Sequence, residues 1–600
     1  MAAARSDELD DEQVPPRYHD IIRASGSTPV AMSVLKKSFG VQREAWRQAL
    51  EEELASFEST QTFLPLTPAE ARQVKPWTVL PMQVVASEKP PDATGYRRKR
   101  CRGVARGNFE APSEEQTYAG TLGIPSMRAT IAHAAHMGWD LAAMDVSAAF
   151  LNAPLPEGHR EVIVRPPAIM VFFGLVPEGQ LWRANRAIYG LRISPKAWQD
   201  QRDTDLAVMR LQYQGVEMML VQSAADPAVW SVIPTTCPSA QPLGYVLAYV
   251  DDLLMTGSTE LVHALKGALG RLWRTSAQEQ IGPSTPGTIR YLSLNIGCLQ
   301  NGDIVLEQAD YIREMLERWG LEAANPVGAI ALEKEVYQQF VADEEVEQID
   351  VTTVRLAQKM AGGLLWVAGR TRPDVSFATS RVASMATTRP EEALRIGKKV
   401  LRYLKGTQEM VLHYSATRGS DTGGNKDLEQ EICDVHLEVY ADAAHEDVLT
   451  QTGVAIFMHG NLVEWKSHKQ HVVAFSTAES EVNALATGES MGASLEATLE
   501  SMGLRCHHTD YGDNQAANHI ADTRATWRTR ALSNKVHAFR SRRERGLLDL
   551  QFVDSKSMKA DGLTKASASL SFYKHVRDQL GLKMVESPAR RARAARAIHR

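Results

Sequence analysis

Cysteine is scarce in this 600-residue chain: there are five, at positions 101, 237, 298, 433 and 506, and no two form a C-x-x-C pair. That excludes a disulfide-stapled secreted scaffold and a cysteine-rich zinc module, and it points to free thiols in a reducing compartment. Long apolar runs are missing too; none approaches the roughly 18 residues of a membrane span. The opening stretch, MAAARSDELDDEQVPPRYHD, is acidic and polar, which excludes a signal peptide. Positive charge is not in surplus either. The formal net charge is −5, which by itself argues weakly against a nucleic-acid partner, although the distribution of charge matters more than its sum.

The hydrophobic fraction of 44% and the charged fraction of 23% are those of ordinary globular protein. The length exceeds what one core can organise, so several domains are expected. Basic residues gather in two places. YRRKRCRGVARG at 96–107 lies between strand-like segments, whereas the final PARRARAARAIHR reads as a solvated tail. From about residue 43, Trp46, Leu50, Leu54 and Phe57 recur on one helical face. PEEALRIGKKVLRYLKG predicts a helix opened by Pro390 and stopped at Gly406. The polar stretch 415–431 is the best linker. It contains Asp421-Thr422-Gly423, the D-T-G of aspartic proteases, but no apolar strand adjoins it, so it reads as linker.

Acidic residues stand where apolar strand residues dominate. LAAMDV is a strand ending in Asp145, and LGYVLAYVDDLLMTG reads as a hairpin whose two apolar runs meet at Asp251 and Asp252. A single strand-end Asp is ordinarily a turn residue. Three such carboxylates from neighbouring strands are costly unless a cation pairs with them, and they form an all-oxygen cage suited to Mg2+ or Mn2+. A second set follows the linker. VHLEVYAD predicts a strand ending at Asp442, and VAIFMHGNLVEWKSHK a hairpin turning at His459-Gly460-Asn461. The helix after it has Ser476 and Glu479 in capping-box positions, a buried face of Val482, Leu485, Leu495, Leu499 and Met502, and Gly503 as its stop. Glu481 lies beside that face and can point to the sheet end, with Glu479 as the alternative acid. Asp513 and Asp561 complete an ordered four. Cys506-His507-His508 is adjacent rather than ligand-spaced and reads as a surface loop.

Several motifs together resemble the reverse transcriptase of copia-type long-terminal-repeat retrotransposons: MDVSAAFLNA, YVDDL, AIYGLRISPKAW (187–198), YLSLNI (291–296) and TRPDVSFA (371–378). The second acidic set is similar to ribonuclease H of the same elements, in YADA, STAESEVNAL, DNQAA and VDSKSMKADGLTK. The resemblance implies an α+β and α/β multidomain chain, with a right-hand polymerase of fingers, palm and thumb, then a ribonuclease H-like mixed sheet with flanking helices. The expected divisions are 1–42, a mobile leader; 43–305, fingers and palm; 306–414, a helical thumb or connection; 415–432, the linker; 433–572, the ribonuclease H-like domain; and 573–600, a basic tail.

By the same resemblance, Asp145, Asp251 and Asp252 would hold two Mg2+ or Mn2+ ions for nucleotidyl transfer. Asp442, Glu481, Asp513 and Asp561 would hold two more for RNA hydrolysis. Phe150 matches the aromatic gate against a 2′-hydroxyl, and Arg100, Arg102 and Arg106 would grip triphosphate or template phosphate. Lys535 and His537 fall in a segment related to the family's hybrid contacts. Ile193 departs from the family, which has at this position a Gln that shapes the nucleotide pocket. The implied partners are RNA template, DNA primer, RNA–DNA hybrid and deoxynucleoside triphosphates, with no membrane. The implied compartment is the cytoplasm, in a virus-like particle, or the nucleus. No zinc knuckle, H-H-C-C site or integrase triad can be traced, so these would be the last two enzymatic parts of a Pol polyprotein. Two other readings stand beside an active enzyme: a decayed or co-opted nucleic-acid-binding remnant, and ribonuclease H activity alone.

Overall fold

The computed structural model describes residues 27–89, 91, 95–111, 116–276, 279–332, 350–416, 434–445, 450–470, 474, 476–522, 532–586 and 589–591. The helical face anticipated near the start becomes α1 (Gly40–Ser59), burying Trp46, Ala49, Leu50 and Phe57. It packs on the hairpin of β1 (Val79–Glu88) and β2 (Lys99–Ala105), paired from Glu88↔Lys99 to Met82↔Ala105. Gly103 is needed for that approach, since a Cβ there would sit 2.7 Å from the Phe57 ring. The Gly103 amide donates to Glu53 of α1 at 2.8 Å. The segment expected as a leader contributes a strand, Thr28–Val30, paired with β1, and a short helix whose Met32 and Leu35 are buried.

The next layer follows from alternating apolar runs. α2 (Ile124–Met137) stops at Gly138, whose φ of 64° is left-handed, and feeds β3 (Asp140–Asp145). α3 (Ser194–Val208) precedes the antiparallel strands β4 (Arg210–Tyr213), β5 (Val216–Gln222), β6 (Val229–Pro234), β7 (Gly244–Tyr249), β8 (Asp252–Gly257) and β9 (Glu279–Ile281). The seven strands lie in the order β9-β3-β8-β7-β6-β5-β4. This is the palm, with β3 and β8 side by side as its second and third strands.

A five-stranded sheet then joins distant parts of the chain: β10 (Gly287–Tyr291), β11 (Leu294–Cys298), β12 (Ile304–Glu307), β13 (Met410–Tyr414) and, beyond the linker, β19 (Leu582–Met584). The helices α4 (Val351–Ala368), α5 (Ser376–Met385) and α6 (Pro390–Gly406) share one apolar cluster. The tail expected from 573 is structured up to Met584. Tyr573 and Val576 are buried on a helix, Leu570–Gln579, and Leu582 is buried in β19 against β13. Apolar side chains anchor that stretch, and its basic residues lie between them. The D-T-G triplet and nearly all of the linker lie outside the described residues.

The last sheet has β14 (Asp434–His445), β15 (Thr450–Met458), β16 (Asn461–Lys469), β17 (Arg505–Gly512) and β18 (Asp549–Phe552), in the order β16-β15-β14-β17-β18. The first three are antiparallel and the rest parallel. This is the mixed sheet of a ribonuclease H-like domain, crossed by α7 (Thr477–Ser501), whose N-cap Ser476 accepts from the Glu479 amide. β14 does not end at Asp442 but continues to His445, because β15 keeps pairing with it. Cys506-His507-His508 is not a loop. It lies in β17, with Cys506 and His508 buried and His508 Nε2 bonded to Asp510 at 2.8 Å. Every described cysteine is a free thiol.

α2 also grips the ribonuclease H-like sheet. Arg128, 3% exposed, donates from Nε to the Val463 carbonyl of β16 at 2.6 Å and from Nη1 to Gly369 at 3.0 Å, and its guanidinium lies 3.8 Å from the Trp465 ring centroid. Burial pushes its pKa down to about 10, so it stays charged near neutrality.

Candidate active sites

The antiparallel register sets Asp252, first residue of β8, directly opposite Asp145, last residue of β3. Tyr249 pairs with Asp252, which leaves Val250 and Asp251 as a two-residue turn. Val250 is β-branched yet has φ of 54°, a left-handed conformation that costs about 1–3 kcal/mol. Two bonds hold the strained turn: Trp198 Nε1 of α3 donates to the Val250 carbonyl at 2.7 Å, and the Val146 amide donates to the Asp251 carbonyl at 2.8 Å. Burial, and then the charge of Asp251, raises the pKa of Asp145; burial raises that of Asp251. Burial followed by the charges of Asp251 and Asp145 pushes Asp252 up to about 7. Three half-buried carboxylates thus repel one another where the end of β3 meets the start of β8.

Cations approach from β2. Arg100 and Arg102 lower the pKa values of Asp145 and Asp251, and Lys89, pushed down to about 8 by burial and by those two arginines, also lowers that of Asp145. The fingers hairpin therefore faces the cage with three basic side chains. Phe150 meets Tyr189 edge-on at 5.1 Å, and Arg102 lies over the same Tyr189 ring at 5.1 Å. Tyr189 was missed in the sequence; its signal was an aromatic inside the AIYGL motif. Gly190, with φ of 95°, lets that loop touch β2, since a Cβ there would lie 2.0 Å from the Ala105 carbonyl. Ile193 is 5% exposed and belongs to the apolar cluster of Leu151, Ile188 and Leu191. It is a core residue, which accounts for its alkyl side chain. Arg106 lies over Phe109 at 4.7 Å.

The second cage gathers residues from three elements. Oxygens of Asp442 (β14), Glu481 (first turns of α7) and Asp513 (after β17) all come within 4.8 Å of one another, a closeness the first cage does not reach. Glu481 accepts from the Ala443 amide at 3.1 Å, and Asp513 accepts from Ser555 Oγ at 2.7 Å. Burial, then Asp442 and Asp513, push Glu481 up to about 9; burial pushes Asp442 up to about 6 against a bond from Thr564. Asp561 stands alongside, paired with Lys565 at 2.8 Å, and its charge also raises Asp442. Gly453 faces Asp442 across the ladder. A Cβ there would meet Thr564 at 2.7 Å and Leu563 at 2.9 Å, so only glycine lets the Asp561 segment close over the strand. Thr564 and Lys565 were missed in the sequence, although both follow directly in DGLTK.

Lys535 reaches α7 and bonds Asn483, two residues after Glu481, whereas His537 on the same helix is exposed. The donors of both cages are carboxylate oxygens with no nitrogen or sulfur among them, which fits a hard divalent cation and not zinc. No described helix is long and apolar enough to cross a membrane.

Residues 72–333 match the family described as reverse transcriptase (RNA-dependent DNA polymerase). The chain is 23% identical over 539 residues to the retrovirus-related Pol polyprotein from transposon RE1 of Arabidopsis thaliana, covering 88% of this chain and 33% of that protein. It is 24% identical over 542 residues to the corresponding RE2 polyprotein of the same plant, with the same shares covered. A solved foamy viral protease–reverse transcriptase in complex with double-stranded DNA aligns over 85% of this chain and 70% of that one, at 10% identity and a TM-score of 0.45. The chain spans about a third of the length of the curated relatives it matches. Over residues 72–333 it is a reverse transcriptase domain, in a chain related to the Pol polyproteins of copia-type retrotransposons.

Proposed function

We infer that the chain copies RNA into DNA at the first cage and removes the RNA strand of the hybrid at the second. The observation that carries the reading is the register of Asp252 opposite Asp145 with Asp251 in the strained turn between strands, faced by Arg100 and Arg102. Two divalent cations, Mg2+ or Mn2+, would be held by Asp145, Asp251 and Asp252, and would supply activation of a 3′-hydroxyl and stabilisation of the departing pyrophosphate. The chain's own groups do the rest. Arg100, Arg102 and Lys89 neutralise triphosphate charge, Tyr189 and Arg102 brace the sugar side of the pocket, and Phe150 crowds the position a 2′-oxygen would occupy. At the second cage, Asp442, Glu481 and Asp513, with Asp561 beside them, would hold two further divalent cations against an RNA phosphate. Lys535 would steer the backbone, and the exposed His537 would contact the hybrid at the rim.

The test is a paired assay on an RNA template with a DNA primer, with Mg2+ and with EDTA. Asp251→Asn should abolish extension and leave RNA cleavage, and Asp442→Asn should do the reverse. A wild-type chain that binds the hybrid but neither extends nor cleaves it refutes the reading and leaves a binding remnant. Cleavage without extension leaves ribonuclease H alone.

A further inference from the structure

Palm, thumb and ribonuclease H-like sheet meet at the C-terminal end of α4, where the last carbonyls of a helix have no partner within it. Donors from elsewhere take them here. Trp465 Nε1 of β16 donates to the Ala368 carbonyl at 2.8 Å, and Arg128 Nη1 of α2 donates to those of Gly369 at 3.0 Å and Arg370 at 3.4 Å. Trp465 and Arg128 are both buried, and the guanidinium lies on the indole. The backbone of 368–370 is thus fixed from two sides. It sets the direction of the Arg370 side chain, whose guanidinium stands over the Trp366 ring at 4.4 Å.

Arg372, two residues on, is bonded through Nε and Nη2 to Asp374 and through Nη1 and Nη2 to Thr407. Arg370 is different: among the described residues no carboxylate pairs with it, and its buried Nη1 has no hydrogen-bond partner. A guanidinium in that state is costly until an anion reaches it. The residue is half-buried, so a ligand can reach it. Burial lowers its pKa, and Tyr249, the last residue of β7, is the neighbour that counters the shift. Tyr249 is the cross-strand partner of Asp252, and Asp252 that of Asp145, so the three side chains leave one face of the palm sheet. Arg370 therefore borders the first cage from the thumb, while Arg100, Arg102 and Lys89 face it from the fingers. With those three set against triphosphate, the anion left for Arg370 is a phosphodiester of the strand being extended, whose two free oxygens its planar fork matches.

We propose that Arg370, aimed by Arg128 and Trp465, is a binding residue for a backbone phosphate of the duplex just behind the primer terminus. The ribonuclease H-like sheet thereby sets a contact that the polymerase half uses. The position along the primer rests on reading the first cage as the site of extension, whereas the phosphate contact itself is measured without chemistry.

The test follows binding of the full chain to a dye-labelled DNA primer on an RNA template, by anisotropy in EDTA over a series of KCl concentrations. Arg370→Gln should weaken binding roughly tenfold and reduce the slope of log K against log salt by about 1, the share of one phosphate. Arg370→Lys should restore the slope and only part of the affinity, since an ammonium lacks the fork. Neutral methylphosphonates placed at successive primer linkages should identify one near the 3′ end that weakens the wild type and not Arg370→Gln. Trp465→Phe, which deletes the bond to Ala368, should weaken the wild type and add nothing in the Arg370→Gln background. Without nucleic acid, Arg370→Gln and Arg370→Lys should melt like the wild type, because no ion pair is lost. Equal affinity and salt slope in wild type and Arg370→Gln, or the same methylphosphonate profile in both, would overturn the proposal. Binding that depends on Arg370 in a chain that extends no primer would support the phosphate contact and sink the reading of the first cage.

Discussion

Glu481→Gln should make the metal-free protein more stable while weakening its response to Mg2+. The carboxyl of Glu481 is pushed from 4.5 to about 9 by burial and by Asp442 and Asp513. A raised pKa means that its stabilising protonated form is fully present in both states below pH 4.5. The advantage is lost progressively as the pH rises towards 9, because the unfolded chain ionises and the folded one does not. Each pH unit above 4.5 costs the folded state about 1.4 kcal/mol, close to 5 kcal/mol at pH 8. Asp442, itself raised, relieves part of this by taking up a proton, so the expected gain from Gln is roughly 2–4 kcal/mol at pH 8, falling to about 0.7 kcal/mol at pH 5. Urea denaturation in EDTA, followed by the fluorescence of buried Trp465, measures it at both pH values. Adding Mg2+ should raise the midpoint of the wild type by more than that of Glu481→Gln, which keeps only the first cage intact. If Glu481→Gln is the less stable protein at pH 8 without metal, or if its advantage is the same at pH 5, the mutual repulsion of this cage is not what the geometry says.

Three other substitutions test neighbouring features. Gly190→Ala puts a Cβ 2.0 Å from the Ala105 carbonyl at φ of 95°; it should cost about 3 kcal/mol or more and lose primer extension, with RNA cleavage spared. Arg128→Met removes the bonds to Val463 and Gly369 and leaves the buried Val463 carbonyl without this donor, so thermal unfolding should shift by an amount equivalent to about 1–3 kcal/mol. An unchanged melting curve would show that the clamp contributes nothing. Phe150→Val should raise ribonucleotide incorporation relative to deoxyribonucleotide, read by competition in a primer-extension gel, because the ring against Tyr189 would no longer fill the space.

Features written in local chemistry were legible in the sequence. Ser476 before an apolar period announced α7, His459-Gly460 announced its turn, and the Asp pair between two apolar runs announced the β7–β8 hairpin. What escaped depends on contacts between distant residues. Arg128 looks like any helical arginine until β16 is laid across it. That Ile193 is buried with Leu151, Ile188 and Leu191 depends on the same kind of distant contact. Cys506-His507-His508 looked polar enough for a loop because nothing local reveals that Asp510 and Glu496 surround His508. The structured end of the chain was hidden by its arginines and lysines, since a three-residue strand becomes visible only once β13 offers it an edge.

α2 has a consequence reaching past its own packing. Its C-terminal end turns at Gly138 into the strand that carries Asp145, while Arg128 near its start holds β16, whose neighbour β15 pairs with the strand bearing Asp442. One rigid rod thus spaces the two cages. If both act on a single hybrid, that rod works as a ruler: the stretch of RNA left uncut behind the growing end is counted off in base pairs by the protein, and its length stays the same whatever sequence is being copied.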